Sequence, residues 1–149
     1  MRMPFTRGDR RMGQQCEVAH SVVLRGCQKM ARLQVGGERS TRRVTTQRHR
    51  SRIDTLISAA GFSCFGSRIH CFSNLASDGY TYVMIIGQSS INIHTYPEQG
   101  AVSVWIITCP GEDDDGSATR RLERALKEYF GAKSLTSAPL GRILLQCLS

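Results

Sequence analysis

The sequence predicts an α+β fold, a two-layer α/β sandwich with an antiparallel sheet and helices on one face. Three observations lead there. Four strand-like runs follow one another between residues 62 and 109, separated by short gaps bearing Gly, Asn, Asp or Pro, which favours antiparallel neighbours. Two amphipathic stretches at helical spacing flank that block, and each ends at a glycine. The 149 residues are enough for one hydrophobic core and too few for two comfortable ones.

In order along the chain, residues 1–18 are basic and expected to form a disordered extension, with the domain proper over 19–149. "HSVVLRG" (20–26) reads as a first strand. From Thr46 to Ala60, Ile53, Leu56, Ile57 and Ala60 recur at helical spacing before Gly61, the place where a helix stop is favoured. "FSCFGSRIHCF" (62–72), "YTYVMIIG" (80–87), "SINIHT" (90–95) and "VSVWIITC" (102–109) are rich in β-branched and aromatic residues and form the central strands. The acid run 112–115 reads as a solvated loop ahead of a helix N-terminus, where the dipole favours negative charge. Ser117 is the expected N-cap of a helix whose face is Leu122, Ala125, Leu126, Tyr129 and Phe130, ending before Gly131. "GRILLQCL" (141–148) is expected to return as a last strand.

Composition narrows the function classes. The net charge of +8 is uneven: residues 1–52 hold 13 of the 20 Lys and Arg and 3 of the 12 acidic residues. Phe5 is the one Phe, Trp or Tyr of that segment, so a solvated segment is the expected reading and no nucleic-acid partner is expected. No apolar run approaches the roughly 20 residues that a membrane-spanning helix needs, and the basic start has no apolar segment behind it. A cytoplasmic protein without a membrane partner is the expectation. Cys16, Cys27, Cys64, Cys71, Cys109 and Cys147 form no C-x-x-C pair or Cys/His cluster, which points to free thiols and no metal.

The chemistry is expected in "GQSSINIHTYPEQG" (87–100). Two serines ahead of a histidine do not make a hydrolase triad, since no G-x-S-x-G elbow precedes them. Strand parity puts Ser90, Asn92 and His94 on one face and Ser89, Ile91 and Ile93 on the other. Periodicity alone therefore pairs His94 with Ser90.

The longer stretch "SSINIHTYPEQGAVSVWIITCPGED" (89–113) resembles the core of the prokaryotic S-adenosylmethionine decarboxylases. That family reads Glu-Ser-His, then His-Thr-Trp-Pro-Glu, then Phe-Thr-Cys-Gly. The matching residues are Ser89, His94, Thr95, Pro97, Glu98, Thr108 and Cys109, with weaker similarity through "HCF" (70–72), "DGYT" (78–81) and the helix at 118–130.

The resemblance implies self-cleavage between Gln88 and Ser89. The Ser89 hydroxyl would attack the carbonyl of residue 88, turning an amide into an ester whose elimination leaves a covalent pyruvoyl group in place of the serine. Thr81 would supply a hydroxyl for that processing and His94 the base. The pyruvoyl group would then form a Schiff base with S-adenosylmethionine, with Cys109 returning the proton after carbon dioxide leaves. Phe72 would stack on adenine, Glu98 would bind the ribose hydroxyls, and Tyr96 would line the pocket. The family further implies a role in spermidine synthesis and a homodimer of two-chain protomers. Its five-residue spacing to the histidine nominates Ser89 over Ser90, so a bulge or chain break is expected at the strand start.

Gln88, Ser90, Tyr96 and Trp105 stand where that family has glutamate, histidine, tryptophan and aspartate. These differences keep open the same machinery acting on arginine or ornithine, or an unprocessed S-adenosylmethionine-binding, lyase or regulatory relative.

Overall fold

The computed structural model of the chain describes residues 15–29, 39–72, 79–109, 111–113 and 115–145. Its elements are β1 (Gln15–Arg25), α1 (Arg39–Ala60), β2 (Cys64–Cys71), β3 (Tyr80–Ile86), β4 (Ser89–Tyr96), β5 (Ala101–Thr108), α2 (Ser117–Phe130) and β6 (Ser134–Leu145). The strands form one six-stranded sheet in the order β2-β3-β4-β5-β1-β6, antiparallel at every pairing.

β3, β4 and β5 alternate in burial because side chains in a strand point to opposite faces in turn. Tyr82, Met84, Ile86, Ile91, Ile93, Val104 and Ile106 meet Ile53 and Ile57 of α1 and Leu122, Leu126 and Phe130 of α2 in one core. Both helices therefore cover the same face, and the expected α+β sandwich is what the chain forms. The other face carries Thr81, Val83 and Ile85 on β3, Ser90, Asn92 and His94 on β4, and Ser103 and Trp105 on β5.

Several boundaries differ from expectation. β1 reaches back to Gln15, so residues 15–18 belong to the sheet and not to an extension, because their backbone pairs with β5 and β6. Residues 1–14 lie outside the described residues. α1 begins at Arg39, earlier than its apolar periodicity. β6 begins at Ser134 and includes Pro139, which an edge strand tolerates because only one side of it needs ladder donors. The expected continuation over 146–148 lies outside the described residues.

The start of α2 also differs. Gly116 is the N-cap, and the Asp113 carboxylate accepts the N–H groups of Ala118 and Thr119, each at 2.8 Å. Two of the four orphan donors of the first turn are satisfied from outside the helix, which removes the need for Ser117 as a cap. Asp115 accepts the Ser117 N–H at 2.8 Å, and that bond holds its carboxyl below the ordinary value. The acid run is thus a capping loop as well as a solvated one.

Behind the sheet, the Tyr129 hydroxyl is hydrogen-bonded to His49 Nδ1, and burial lowers the pKa of His49 while raising that of Tyr129 to about 12. Among the described residues, no helix is long and apolar enough to cross a membrane, and no group of three or more His, Cys, Asp or Glu is placed to hold a metal ion.

Candidate active site

The residues expected to carry the chemistry fall at the two ends of β4 and just beyond them. At the first end, β3 and β4 are joined by the two-residue turn Gly87–Gln88, closed by the pair Ile86 and Ser89. Gly87 has φ of +57°, the left-handed region that favours glycine, and a Cβ there would lie 2.1 Å from Glu112 Oε1, so the carboxylate tip would have to move aside. Ser89 shares parity with Ile91, Ile93 and Thr95 and is buried, 7% exposed.

The residue after β5 completes this end. The Cys109 N–H donates to Ser89 Oγ at 2.8 Å, and the Cys109 thiol donates to the Gln88 carbonyl oxygen at 3.7 Å. Glu112 Oε2 accepts the same Cys109 N–H at 3.2 Å. A hydroxyl, the carbonyl directly before it, a thiol and a carboxylate are gathered around the Gln88–Ser89 peptide bond.

At the other end, Thr81 and His94 are direct cross-strand partners on the helix-free face, with Thr81 Oγ1 and His94 Nδ1 at 3.0 Å. His70 is opposite Thr81 on β2, and its ring meets that of Phe72 edge-on at 5.9 Å. The Phe72 N–H donates to the Gly79 carbonyl at 2.8 Å. A Cβ at Gly79 would come within 3.3 Å of both Phe72 Cδ2 and Pro97 Cδ. Phe72 therefore adjoins the 3-10 turn Pro97–Gln99 that carries the exposed Glu98, with Tyr96 exposed just before it.

Thr95 clamps this end. Its hydroxyl accepts the Tyr80 N–H at 2.8 Å and donates to the Tyr80 carbonyl at 3.2 Å, in a buried position. Sequence reasoning used Thr95 only as a motif match and missed this role.

The two groups do not meet within one chain. His94 is five positions beyond Ser89 along the strand, about 17 Å at 3.3–3.4 Å per residue, and the side chains leave opposite faces. A bulge at the start of β4 is not there, since its ladders with β3 and β5 run without a register shift. Ser90 does share the face of His94, but its hydroxyl accepts Asn92 Nδ2 at 3.2 Å. Glu112 was also missed. Its only sequence signal is its place three residues after Cys109 in a run read as a solvated loop.

A profile of the S-adenosylmethionine decarboxylases matches residues 44–142, which takes in both ends of β4. The chain belongs to the S-adenosylmethionine decarboxylase family. Among relatives, the S-adenosylmethionine decarboxylase proenzyme of Oceanobacillus iheyensis is 32% identical over 78 residues, 52% of this chain and 62% of that protein. The corresponding proenzyme of Persephonella marina is 31% identical over 78 residues, 52% of this chain and 56% of that protein. The chain thus spans little more than half the length of these relatives. In fold, it is similar to the crystal structure of the adenosylmethionine decarboxylase from Aquifex aeolicus, with a TM-score of 0.61 and 19% identity over 92% of this chain and 98% of that one. Ser89, His94 and Cys109 all lie inside the matched segment.

Proposed function

We propose that the chain is a self-processing decarboxylase of S-adenosylmethionine, cleaved between Gln88 and Ser89 and serving spermidine synthesis in the cytoplasm. The observation that carries this reading is Cys109, which holds both partners of the cleavage: its N–H is on Ser89 Oγ and its thiol on the Gln88 carbonyl oxygen. The hydroxyl is the nucleophile, and the thiol polarises the carbonyl it attacks. The proenzyme name borne by the relatives agrees with a cleaved chain.

A pyruvoyl group at position 89 would supply the electron sink for loss of carbon dioxide. The residues present fit such a group, because position 89 is buried beside an N–H donor and a thiol. Cys109 is the proton donor of the decarboxylation, adjacent to position 89. Phe72, Tyr96 and Glu98 bind the substrate, through stacking on adenine, the pocket wall and the ribose hydroxyls respectively. Thr81 orients His94, the base that removes the Ser89 α-proton during processing.

His94 cannot reach its own Ser89 from about 17 Å along the strand and the opposite face. A homodimer joined through the helix-free faces would remove the distance, each copy bringing its His94, Thr81, Phe72 and Glu98 over the Ser89 end of the other, and the proton that His94 takes is on the Ser89 Cα and not on the hydroxyl that faces the helices. Ile85 and Trp105, 54% and 45% exposed on that face, are the apolar surface such an interface would cover.

Intact mass of the purified chain beside a Ser89→Ala control tests the reading. The expected result is two fragments, 1–88 and 89–149, the second with a blocked amino terminus, and an uncut control. A cut chain that releases carbon dioxide from arginine or ornithine but not from S-adenosylmethionine would overturn the substrate alone. A single uncut wild-type chain would overturn the pyruvoyl enzyme.

A further inference from the structure

Glu112 occupies a place in the hairpin end that neither the family motif nor the helix-capping role of its neighbours explains. Asp113 is committed to the first turn of α2, and this anchors the loop so that the adjoining Glu112 is aimed back at the sheet. Its Oε2 accepts the Cys109 N–H, and its Oε1 sits over Gly87, where a Cβ would be 2.1 Å away. Ser89 Oγ accepts that same N–H at 2.8 Å. Two acceptors that share one N–H at angles of 120° or more lie within about 4 Å of each other. The carboxylate is therefore beside the nucleophilic hydroxyl, whereas His94 of the same chain is on the far side of the sheet.

We infer that Glu112 is the general base of the first processing step, taking the Ser89 hydroxyl proton as that oxygen closes on the Gln88 carbonyl. The inference rests on the self-cleavage reading above and adds to it a residue that the reading does not use.

The step balances within the chain. The Ser89 Oγ–H bond breaks and its proton passes to Glu112 Oε2, while the oxygen forms a bond to the carbonyl carbon of Gln88. The carbonyl π pair moves onto its oxygen, which the Cys109 thiol already faces. Collapse then breaks the Gln88–Ser89 C–N bond, and the departing nitrogen takes the proton back from Glu112. The products are an ester and a free amine, with the carboxylate restored. Because Glu112 becomes neutral as the oxyanion forms, two neighbouring negative charges never coexist in this partly buried site.

The test follows cleavage of freshly translated chains over time on a denaturing gel. Glu112→Gln keeps the size and an acceptor for the Cys109 N–H but removes the base, and should slow cleavage by about 100-fold or more. Glu112→Asp should restore part of the rate. Glu112→Ala should be accelerated by added formate in proportion to its concentration, while Ser89→Ala stays uncut with or without formate. Thermal unfolding of the Ser89→Ala chain with and without Glu112→Gln, both uncut, should give the same midpoint.

Cleavage of Glu112→Gln at the wild-type rate would overturn the assignment and leave self-cleavage standing. Slow cleavage that neither Asp nor formate rescues, with a lowered unfolding midpoint, would overturn it in favour of a structural role. A wild-type chain that never cleaves would overturn the processing reading and this step with it.

Discussion

The two ends of β4 hold chemistry of similar kinds in opposite surroundings. At the hairpin end, the Cys109 N–H meets the Ser89 hydroxyl, which has the parity of the helix-covered side, with Glu112 closing over the turn. At the far end, Thr81 and His94 pair on the open side. An offset of five is odd, so a regular strand must send the two members of the motif to opposite faces. The motif spacing therefore describes two separate groups of residues on one chain and not a single contact. The ends are also held differently. Asp113 anchors the hairpin end through α2, whereas Thr95 ties β3 to β4 at the other.

Mixing two defective chains tests this contrast most severely, and its effect is the largest expected. His94→Ala and Ser89→Ala chains should each stay uncut alone. Dissociated and reassembled together in equal amounts, about half of the His94→Ala chains should be cut, since random C2 pairing gives half of them a Ser89→Ala partner. Mass spectrometry of the mixture reads this directly. If neither chain is cut after subunit exchange is verified, the dimer arrangement fails.

Thr95→Val should disturb the His94 end alone. It leaves the buried Tyr80 N–H without its side-chain acceptor, at a cost of about 1–3 kcal/mol in denaturant unfolding. The Thr81–His94 pair should loosen while the Cys109 contacts to Ser89 and Gln88 persist, so hydrogen exchange should rise at Tyr80 before it rises at Cys109. Asp113→Ala is the counterpart at the hairpin end. Losing a cap at the start of α2 should cost about 0.5–2 kcal/mol and slow cleavage, with hydrogen exchange at Tyr80 unchanged.

His49 belongs to neither end and gives the smallest effect. Burial lowers its pKa, so folding favours the neutral form. The unfolded histidine titrates near 6.5, and below that the unfolded state binds more protons than the folded state. This contribution to stability is therefore present above about pH 6.5 and lost as pH falls from there toward the folded pKa. His49→Gln should flatten that acid limb in denaturant unfolding without favouring either end.

Much of this was legible in the sequence. The alternation in "YTYVMII" and "SINIHT" assigns each side chain to a face, and the structure keeps that assignment through both ladders. It also carried the separation of Ser89 from His94, which family spacing alone hides. The helix stripes through Ile53, Ile57, Leu122 and Leu126 were equally readable. Ser117 was misread as a cap because Asp113, outside the helix, does that work with a side chain whose reach local propensity does not describe. The length of β6 was missed because "SLTSAPLG" has no apolar alternation and is a strand only by pairing with β1.

Local sequence thus sets what repeats along one segment: the strands and their faces, the buried stripes of two helices, and the residue types of the motif around Ser89. Long-range packing sets the rest, namely that β1 sits between β5 and β6, that Cys109 reaches both Ser89 and Gln88, and that Glu112 closes over the turn. Periodicity is fixed by the geometry of one segment. Which distant segments meet depends on closing long loops against shared core burial, and no single stretch of chain records that balance.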